Sequence, residues 1–228
     1  MQSYLTLEEL HAQIISCTAC PRLVEYRQEV ARRKKREFHE WNYWGRPGPG
    51  FGDPQAKLLI IGLAPAAHGA NRTGRMFTGD SSGDWLIGAL YRAGLANQPT
   101  SHHRDDGLLL QNVYLTAVVR CAPPDNRPTR DELTRCLAFL GCELALLSPV
   151  RVVLTLGRVA FDGYQELLRR QGHKFTPLTF RHGGIYDLGP ALPTLVASYH
   201  PSRRNTQTGL LTAGMLDAVI STALTLAG

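Results

Sequence analysis

The sequence predicts an α/β fold in which a four-stranded, mainly parallel sheet is flanked by helices. Strand-length apolar runs occur at residues 57–61, 113–119, 151–156 and 194–199. Segments with helical character lie between and after them, at about residues 82–93, 130–147, 158–171 and 209–226. A capping box, Thr129-Arg-Asp-Glu132, opens the second of these helices. Strands that alternate with helices indicate a parallel sheet covered on both faces, because each crossover helix packs against it.

The first 50 residues or so depart from this alternation and predict a helical extension of a single domain that spans residues 1–228. Thr6-Leu-Glu-Glu9 is a capping box, which predicts a helix that ends near Ser16. Cys17-Thr-Ala-Cys20-Pro21 predicts a turn, and a basic helix follows at about residues 22–40. Residues 45–54 hold four Gly and three Pro, so they predict a loop into the main domain.

Composition narrows the class of protein. The chain has 228 residues, of which 43% are hydrophobic, enough for a sizeable core in one domain. No apolar run approaches the ~20 residues that span a bilayer, and the N-terminus lacks the basic and apolar segments of a signal peptide. We therefore expect a cytoplasmic protein with no membrane partner. The formal net charge of +6 favours an anionic partner without identifying it.

A basic cluster, Arg32-Arg-Lys-Lys-Arg36, precedes three aromatic residues, Trp41, Tyr43 and Trp44. Basic residues beside aromatic rings are typical of nucleic-acid binding, because bases stack on such rings. The same pattern also fits a solvated helix face followed by a small aromatic packing cluster. Both interpretations stay open from the sequence alone.

The five cysteines favour metal binding over disulfides, because the number is odd and the expected compartment is reducing. Four of them form a CxxC pair and a pair that brackets one loop: Cys17, Cys20, Cys121 and Cys136. Four thiolates suit an iron–sulfur cluster or a structural zinc ion. Cys142 lies about 120° around the helix from Cys136, so we expect a buried thiol there.

Two polar loops follow predicted strands and mark a candidate site, because ligands bind at the carboxyl ends of strands in open α/β sheets. The first loop (residues 62–80) follows the run at 57–61, and the second loop (residues 200–205), His200-Pro-Ser-Arg-Arg-Asn205, follows the run at 194–199. In the first loop, Arg75 and Met76 stand where a phosphate-binding GxxxxGK[ST] motif needs Lys and a hydroxyl. Nucleoside triphosphate hydrolysis is therefore disfavoured.

Three residues in these loops have both a structural and a catalytic interpretation. Phe77 is either a core residue or a ring that stacks on a flat ligand. Asp80 precedes a helix, so it either caps that helix or holds a water molecule. His200 ends a strand, where it either anchors the loop or donates a hydrogen bond to a leaving group.

Taken together, these segments resemble the uracil-DNA glycosylase superfamily, specifically its family 5, the iron–sulfur type. The resemblance covers nearly the whole chain and is carried by the stretches 62–69 and 121–128, the second loop and the four cysteines. It implies a base-excision enzyme that cleaves the N-glycosidic bond of a deaminated base in double- and single-stranded DNA, and we expect a monomer. It also implies a [4Fe–4S] cluster on these cysteines, with structural zinc as the alternative.

The resemblance also implies roles for individual residues. His200 would donate to O2 of the departing uracil, and Phe77 would stack on the flipped base. Relatives carry a water-positioning polar side chain where this chain has Leu63 and Ala64, so Asp80 is the first candidate for that role and Asn126 the second. The expected base-contacting residues are Gly62, Ala64, His68, Phe77 and Asn205. The expected DNA-backbone contacts are Arg75, Ser202, Arg203 and Arg204.

Two departures from related families predict broad base selectivity. Ala117 stands where relatives carry an Asn that reads the uracil edge, and no Tyr follows Pro65 to exclude a methyl group. We therefore expect activity on uracil and also on hypoxanthine, xanthine and ethenocytosine. The only lysines, Lys34, Lys35, Lys57 and Lys174, lie outside the two loops, which predicts a monofunctional, water-based mechanism. A zinc-bearing nucleic-acid-binding module and an iron–sulfur electron-transfer protein are the alternatives.

Overall fold

The computed structural model describes residues 6–228 and contains one six-stranded sheet flanked by helices. The strands are β1 (Phe51–Gly52), β2 (Leu58–Gly62), β3 (Val113–Ala117), β4 (Val152–Leu156), β5 (Gly184–Tyr186) and β6 (Thr194–Ser198). The helices are α1 (Leu7–Ser16), α2 (Pro21–Arg33), α3 (Ala70–Thr73), α4 (Ser81–Arg92), α5 (Arg130–Leu146), α6 (Arg158–Arg170), α7 (Arg203–Gln207) and α8 (Ala213–Ala227). None of the helices in this part of the chain is both long and apolar enough to span a membrane.

The sheet order is β1-β3-β2-β4-β6-β5, and its four central strands are parallel. These are the four strands that the sequence predicts, so the fold class is confirmed. The strand count is wrong by two, since β1 and β5 pair antiparallel at the two edges. Both edge strands are two or three residues long, too short to produce a recognisable apolar run.

Alternating residues of the central strands pack against opposite helical layers, because successive strand side chains point to opposite faces. Leu58 and Ile60 of β2 pack with α4 and α8, whereas Leu59 and Ile61 pack with α5 and α6. The two faces of the sheet are therefore both buried. This burial explains why the predicted strands are continuous apolar runs rather than alternating ones.

The N-terminal helices pack against the main body near the cysteines. Arg22 of α2 donates two hydrogen bonds to Glu132 of α5, at 2.8 and 2.6 Å. Helix α2 ends earlier than the sequence predicts, because Lys34 has a left-handed backbone with φ of +56°. The predicted helix at 209–226 also differs, since α7 precedes Gly209, at φ +73°, and α8 begins four residues later.

Candidate active site

A cavity of about 740 Å³ lies at the carboxyl ends of β2, β3 and β6, between the first loop, the second loop and the N-terminal segment (residues 35–45). Ten of the predicted site residues border it: Gly62, Ala64, His68, Phe77, Asp80, Asn126, His200, Ser202, Arg203 and Arg204. Leu63 and Ala117 border it as well and give it apolar walls. The predicted residues Arg75 and Asn205 do not border this cavity.

Phe77 holds its ring against the cavity through an unusual backbone conformation. Its φ is +51°, a left-handed value that costs free energy for a bulky residue. Two glycines make room for this arrangement. A Cβ on Gly62 would lie 2.7 Å from the tip of the Phe77 ring, and one on Gly83 would overlap the Phe77 carbonyl oxygen. Glycine at these two positions therefore leaves room for the ring and the backbone of Phe77.

Asp80 uses one carboxylate oxygen to cap a helix and leaves the other open. Its Oδ1 accepts hydrogen bonds from the backbone N–H groups of Ser82 at 2.9 Å and Gly83 at 3.0 Å, which caps α4. Its Oδ2 has no hydrogen-bond partner within residues 6–228, and a Cβ on Gly69 would overlap it. The helix cap therefore fixes the carboxylate and leaves one oxygen for a ligand or a water molecule.

Burial raises the pKa of Asp80, and the two backbone N–H donors and the nearby Arg72 oppose that rise. Hydrogen bonds to a carboxylate favour its ionised form. Burial thus disfavours the charged form of the Asp80 carboxyl group, whereas its hydrogen bonds favour that form. Such opposed influences are typical of functional carboxylates.

His200 lies where the end of β6 packs closely against the start of α6. Gly157, with φ of +88°, faces it, and a Cβ there would lie 3.1 Å from the His200 Cβ. Burial lowers the pKa of His200 to about 4, so the imidazole is neutral near pH 7. In the described chain neither ring nitrogen has a protein hydrogen-bond partner. The ring can therefore donate to a ligand in the cavity.

Asn205 stabilises the second loop and does not border the cavity. Its Nδ2 donates to the His200 carbonyl oxygen at 2.8 Å, and its backbone N–H donates to the Ser202 Oγ at 3.3 Å. Its side-chain amide thus holds the backbone of His200. The base contact that the sequence predicts for Asn205 stays a prediction.

Asn126 borders the cavity from a short 3₁₀ turn, Pro124–Asn126, and is exposed. Asp125 and Asn126 both have left-handed backbones, with φ of +53° and +55°. No hydrogen bond to the Asn126 side chain occurs within residues 6–228. Asn126 therefore lacks the anchoring that Asp80 has.

Arg75 faces neither the cavity nor solvent, and the structure corrects its predicted DNA contact. Its side chain is 6% exposed, and its Nη2 contacts both carboxylate oxygens of Asp106 at 2.8 Å. Its other nitrogens donate to the Thr78 Oγ1 at 2.9 Å and to the Arg104 carbonyl at 3.1 Å. These contacts of the guanidinium join the first loop to residues 101–106.

Arg203 and Arg204 are exposed at the start of α7, beside the cavity. Within the described chain their guanidinium groups form no ion pair or hydrogen bond. Ser202 caps this short helix through its Oγ. Unpaired cations at the rim of a cavity suit contact with an anionic backbone.

The N-terminal segment supplies a wall that the sequence did not predict: Lys35, Glu37 and Phe38 border the cavity. The Lys35 Nζ lies 2.7 Å from the Glu37 Oε1. Lys35 lies outside the two loops, as the sequence shows, and nevertheless borders the cavity. The basic cluster at residues 32–36 is the sequence feature that could have indicated this wall. Nothing in its neighbouring residues, however, indicates that it reaches the two loops.

The aromatic residues of this segment favour the packing interpretation. The Tyr43 hydroxyl lies 3.0 Å from the Nδ1 of His68, which borders the cavity. Burial lowers the pKa of His68, with smaller contributions from Lys35 and Arg72. The Trp44 Nε1 donates to the Pro47 carbonyl at 3.0 Å. Both hydrogen bonds are made within the protein, as expected of packed rings.

The four predicted cysteine ligands border a second, small cavity at the junction of α1, α2, the segment after β3 and α5: Cys17, Cys20, Cys121 and Cys136. Cys142 lies apart from it, and all five thiols are free of disulfides. Burial raises the pKa of Cys121 to about 12 and that of Cys136 to about 11. The Arg120 backbone N–H donates to the Cys136 Sγ at 3.2 Å.

The side-chain positions of these thiols do not by themselves form a metal site. Within residues 6–228, no group of three or more His, Cys, Asp or Glu side chains is spaced to hold one metal ion. Nevertheless, four thiols from three segments border one cavity, and a backbone N–H already donates to one sulfur. The chemistry of this donor set fits either an iron–sulfur cluster or a zinc ion.

Comparison with known proteins agrees with this site. A sequence model of the uracil DNA glycosylase superfamily matches residues 49–223. The chain is 52% identical to a type-5 uracil-DNA glycosylase of Thermus thermophilus over 94% of this chain and 95% of the relative. It is 44% identical to a type-5 uracil-DNA glycosylase of Pyrobaculum aerophilum, over 95% of this chain and 91% of the relative.

A more distant relative is a type-4 uracil-DNA glycosylase of Pyrobaculum aerophilum, 30% identical over 87% of this chain and 84% of the relative. The region that the superfamily model matches includes both loops and the segment between them. The fold, the cavity between the loops and these similarities agree, and the chain belongs to the uracil-DNA glycosylase superfamily.

Proposed function

We propose that this protein is a DNA glycosylase of base excision repair, which hydrolyses the N-glycosidic bond of uracil in DNA and leaves an abasic site. The observation that carries the proposal is the convergence of three groups on one cavity: the Phe77 ring, the open Oδ2 of Asp80 and the neutral His200 ring. Family membership supports the same reaction.

The base must leave the duplex before the reaction, because its glycosidic bond is inaccessible inside the stack. The cavity between the two loops is the space that receives it. Phe77 offers a flat apolar face, held in place by its backbone conformation and by Gly62. Stacking on this ring offsets part of the stacking free energy that the base loses.

The bond between C1′ and the base nitrogen breaks with its electron pair moving to the base. The negative charge on uracil is largest at its O2, and the His200 ring donates an N–H to that oxygen. A preorganised donor stabilises this developing charge more in the transition state than in the ground state. The low pKa of His200 keeps the ring a neutral donor across physiological pH.

The attacking water is positioned by Asp80, with Asn126 as a secondary contributor. The water adds to C1′ as the base departs, and its proton passes to the Asp80 carboxylate. Asp80 is favoured because its cap fixes the carboxylate, whereas the Asn126 side chain is exposed and unanchored. General base catalysis of this kind contributes typically about 10²–10⁴-fold in rate.

The proposal includes activity on hypoxanthine, xanthine and ethenocytosine. Leu63, Ala64 and Ala117 give the cavity walls without hydrogen-bonding side chains that would read one base edge. A wall of this kind discriminates weakly among flat bases, because a wrong base leaves no polar side chain of that wall unpaired. A profile restricted to uracil would contradict this part of the proposal.

The second loop provides the proposed DNA-backbone contacts, through Ser202, Arg203 and Arg204. We propose that the protein acts as a monomer on double- and single-stranded DNA, in the cytoplasm. We propose a monofunctional mechanism, because the Lys35 ammonium is paired with Glu37 and is not a free amine.

We further propose that Cys17, Cys20, Cys121 and Cys136 hold a [4Fe–4S] cluster rather than zinc. When bound, the cluster supplies a cross-link among three chain segments and takes no part in the hydrolysis. Iron, sulfide and zinc are measured on purified protein, with Cys136→Ser as the test variant and Cys142→Ser as its matched control. Loss of iron and sulfide in Cys136→Ser alone supports the cluster, and stoichiometric zinc overturns it.

The glycosylase proposal is tested by single-turnover cleavage of a labelled duplex that contains one uracil, with alkali used to reveal abasic sites. Asp80→Asn is the sharpest variant, because Asn also caps helices and so preserves the fold. We expect a rate loss of about 10² or more, with DNA affinity kept. Sodium borohydride in the same reaction should trap no protein–DNA adduct. Binding without abasic sites in the wild type would contradict the proposal.

A further inference from the structure

Arg72 is a buried cation beside the site that the proposed mechanism does not use. Its residue is 3% exposed and lies in α3, within the first loop. Its Nε donates to the His68 carbonyl at 2.7 Å, and its Nη2 donates to the Gly79 carbonyl at 2.8 Å. One guanidinium therefore joins two separate turns of the loop, and the second immediately precedes Asp80.

The N-terminal segment holds this guanidinium from the other side. The Arg72 Cζ lies 3.8 Å from the centre of the Phe38 ring and 4.0 Å from the centre of the Trp41 ring. A guanidinium against aromatic faces is attracted by their quadrupoles, more strongly where water is excluded. Phe38 also borders the active-site cavity. These ring contacts thus connect the cavity wall to the interior of the first loop.

The loop backbone is adapted to the arginine. Gly79 has φ of +74°, and a Cβ there would overlap the Arg72 Nη2. The backbone N–H of Trp44 donates to the Arg72 carbonyl at 2.9 Å, and that of Gly45 donates to the Asn71 carbonyl at 3.0 Å. Both the side chain and the backbone of α3 are therefore held by the N-terminal segment.

Helix α2, which follows the two N-terminal cysteines, is joined to the same point. The Asn71 Nδ2 donates to the Arg27 carbonyl at 3.2 Å, and the Arg27 Nη2 donates to the Cys17 carbonyl at 3.2 Å. A continuous set of hydrogen bonds thus runs from the cysteine-bearing turn through α2 to α3. Arg72 is the last member of this set before Asp80.

We propose that Arg72 is a positioning residue: held against Phe38 and Trp41, it joins the His68 and Gly79 carbonyls and so sets the direction of the open Asp80 oxygen. It touches neither base nor sugar and acts through the first loop. This inference rests on the proposed role of Asp80. It adds that the N-terminal segment is part of the catalytic arrangement and not only a support for the cysteines.

The test is a double-mutant cycle on single-turnover rates with Arg72→Lys, Asp80→Asn and the double variant. Lysine keeps a cation near the rings, but its single ammonium cannot span both carbonyls. We expect Arg72→Lys to lose at least about tenfold in rate with less than threefold change in DNA affinity. In the Asp80→Asn background the same substitution should cost less than twofold, because residues that act as one unit are not additive.

A purely structural role predicts a different pattern, in which the two rate losses multiply and follow the fall in urea midpoint. That result, or an Arg72→Lys rate within twofold of wild type, overturns the proposal. If Asp80→Asn is fully active, the proposed role of Asp80 fails first, and the inference falls with it. Should Arg72→Lys not fold, Phe38→Leu replaces it, because it keeps both hydrogen bonds and removes one ring. The same non-additivity with Asp80→Asn is then expected.

Discussion

The two loops that border the cavity use the same residue type in opposite ways. In the first loop Arg72 and Arg75 are buried, and both donate to backbone carbonyls or to side chains of the protein. In the second loop Arg203 and Arg204 are exposed and unpaired within residues 6–228. The cations of the first loop therefore hold the site together, whereas those of the second loop are left free to contact an anion. Position in the fold, and not residue type, decides which role an arginine has.

The largest expected effect comes from removing an inward-facing arginine. Arg75→Met leaves the nearly buried Asp106 carboxylate without its cationic partner, with only backbone N–H donors, so the free energy of unfolding should fall by about 3 kcal/mol. Urea denaturation followed by circular dichroism measures it. The salt dependence of DNA binding should not change, because Arg75 does not face DNA.

A control for this prediction is the pair Arg75→Met with Asp106→Asn, which removes the unpaired charge and should recover part of the stability. A stable Arg75→Met protein with a weaker salt dependence would break the comparison between the loops. It would assign Arg75 to the DNA-contacting group.

A smaller effect is expected from the pH dependence of His200 in the second loop, whose pKa is lowered by burial. Its pKa is about 4 in the folded protein and about 6.5 when unfolded. Above pH 6.5 the ring is neutral in both states, so the pH dependence of stability has no contribution from it there. As the pH falls from 6.5 to 4 the unfolded state binds the proton first, so stability decreases across that window.

Urea midpoints at pH 7.5 and pH 4.5 check this expectation, with His200→Asn as the comparison. Wild type should lose more stability between the two conditions than His200→Asn, since the other titrating groups are shared. Equal losses would mean that the ring is solvated and not enclosed.

The smallest effect is expected from the outward-facing arginines. Arg203→Ala and Arg204→Ala should each weaken DNA binding and lower the slope of log K against log salt by about 0.9 for each phosphate that is no longer neutralised. The urea midpoint should stay within experimental error. Arg92→Ala, which removes an exposed pair with Asp217 on α4 and α8, is the matched control with no change in slope.

The fold class could be predicted from local sequence, because apolar runs and capping boxes reflect interactions among neighbouring residues. The four central strands are buried on both faces, so each is a continuous apolar run, and the capping boxes at Thr6 and Thr129 are formed as expected. The short elements β1, β5, α3 and α7 were not predicted, because two to five residues do not establish a period. Proximity of the two loops followed from the parallel sheet.

The site was less predictable wherever a role depends on distant residues. Arg75 has the sequence setting of a phosphate-binding residue beside glycines, and its partner Asp106 carries no signal in the sequence. The amide of Asn205 is used by the backbone of His200 five positions away, and Lys35 reaches the cavity only through the course of the N-terminal segment. Tertiary contacts decided each of these cases.

The double use of the Asp80 carboxylate has a consequence for the gene that encodes it. Aspartate codons become asparagine codons by a G-to-A change, which arises when the cytosine opposite that guanine deaminates to uracil and is copied. Asparagine keeps the helix cap, so on the proposed mechanism the altered protein would fold, bind its lesion and fail to release the base. The codon for this residue is a target of the same damage that the enzyme removes, and on that mechanism one unrepaired event there would yield a stable competitor for every remaining lesion.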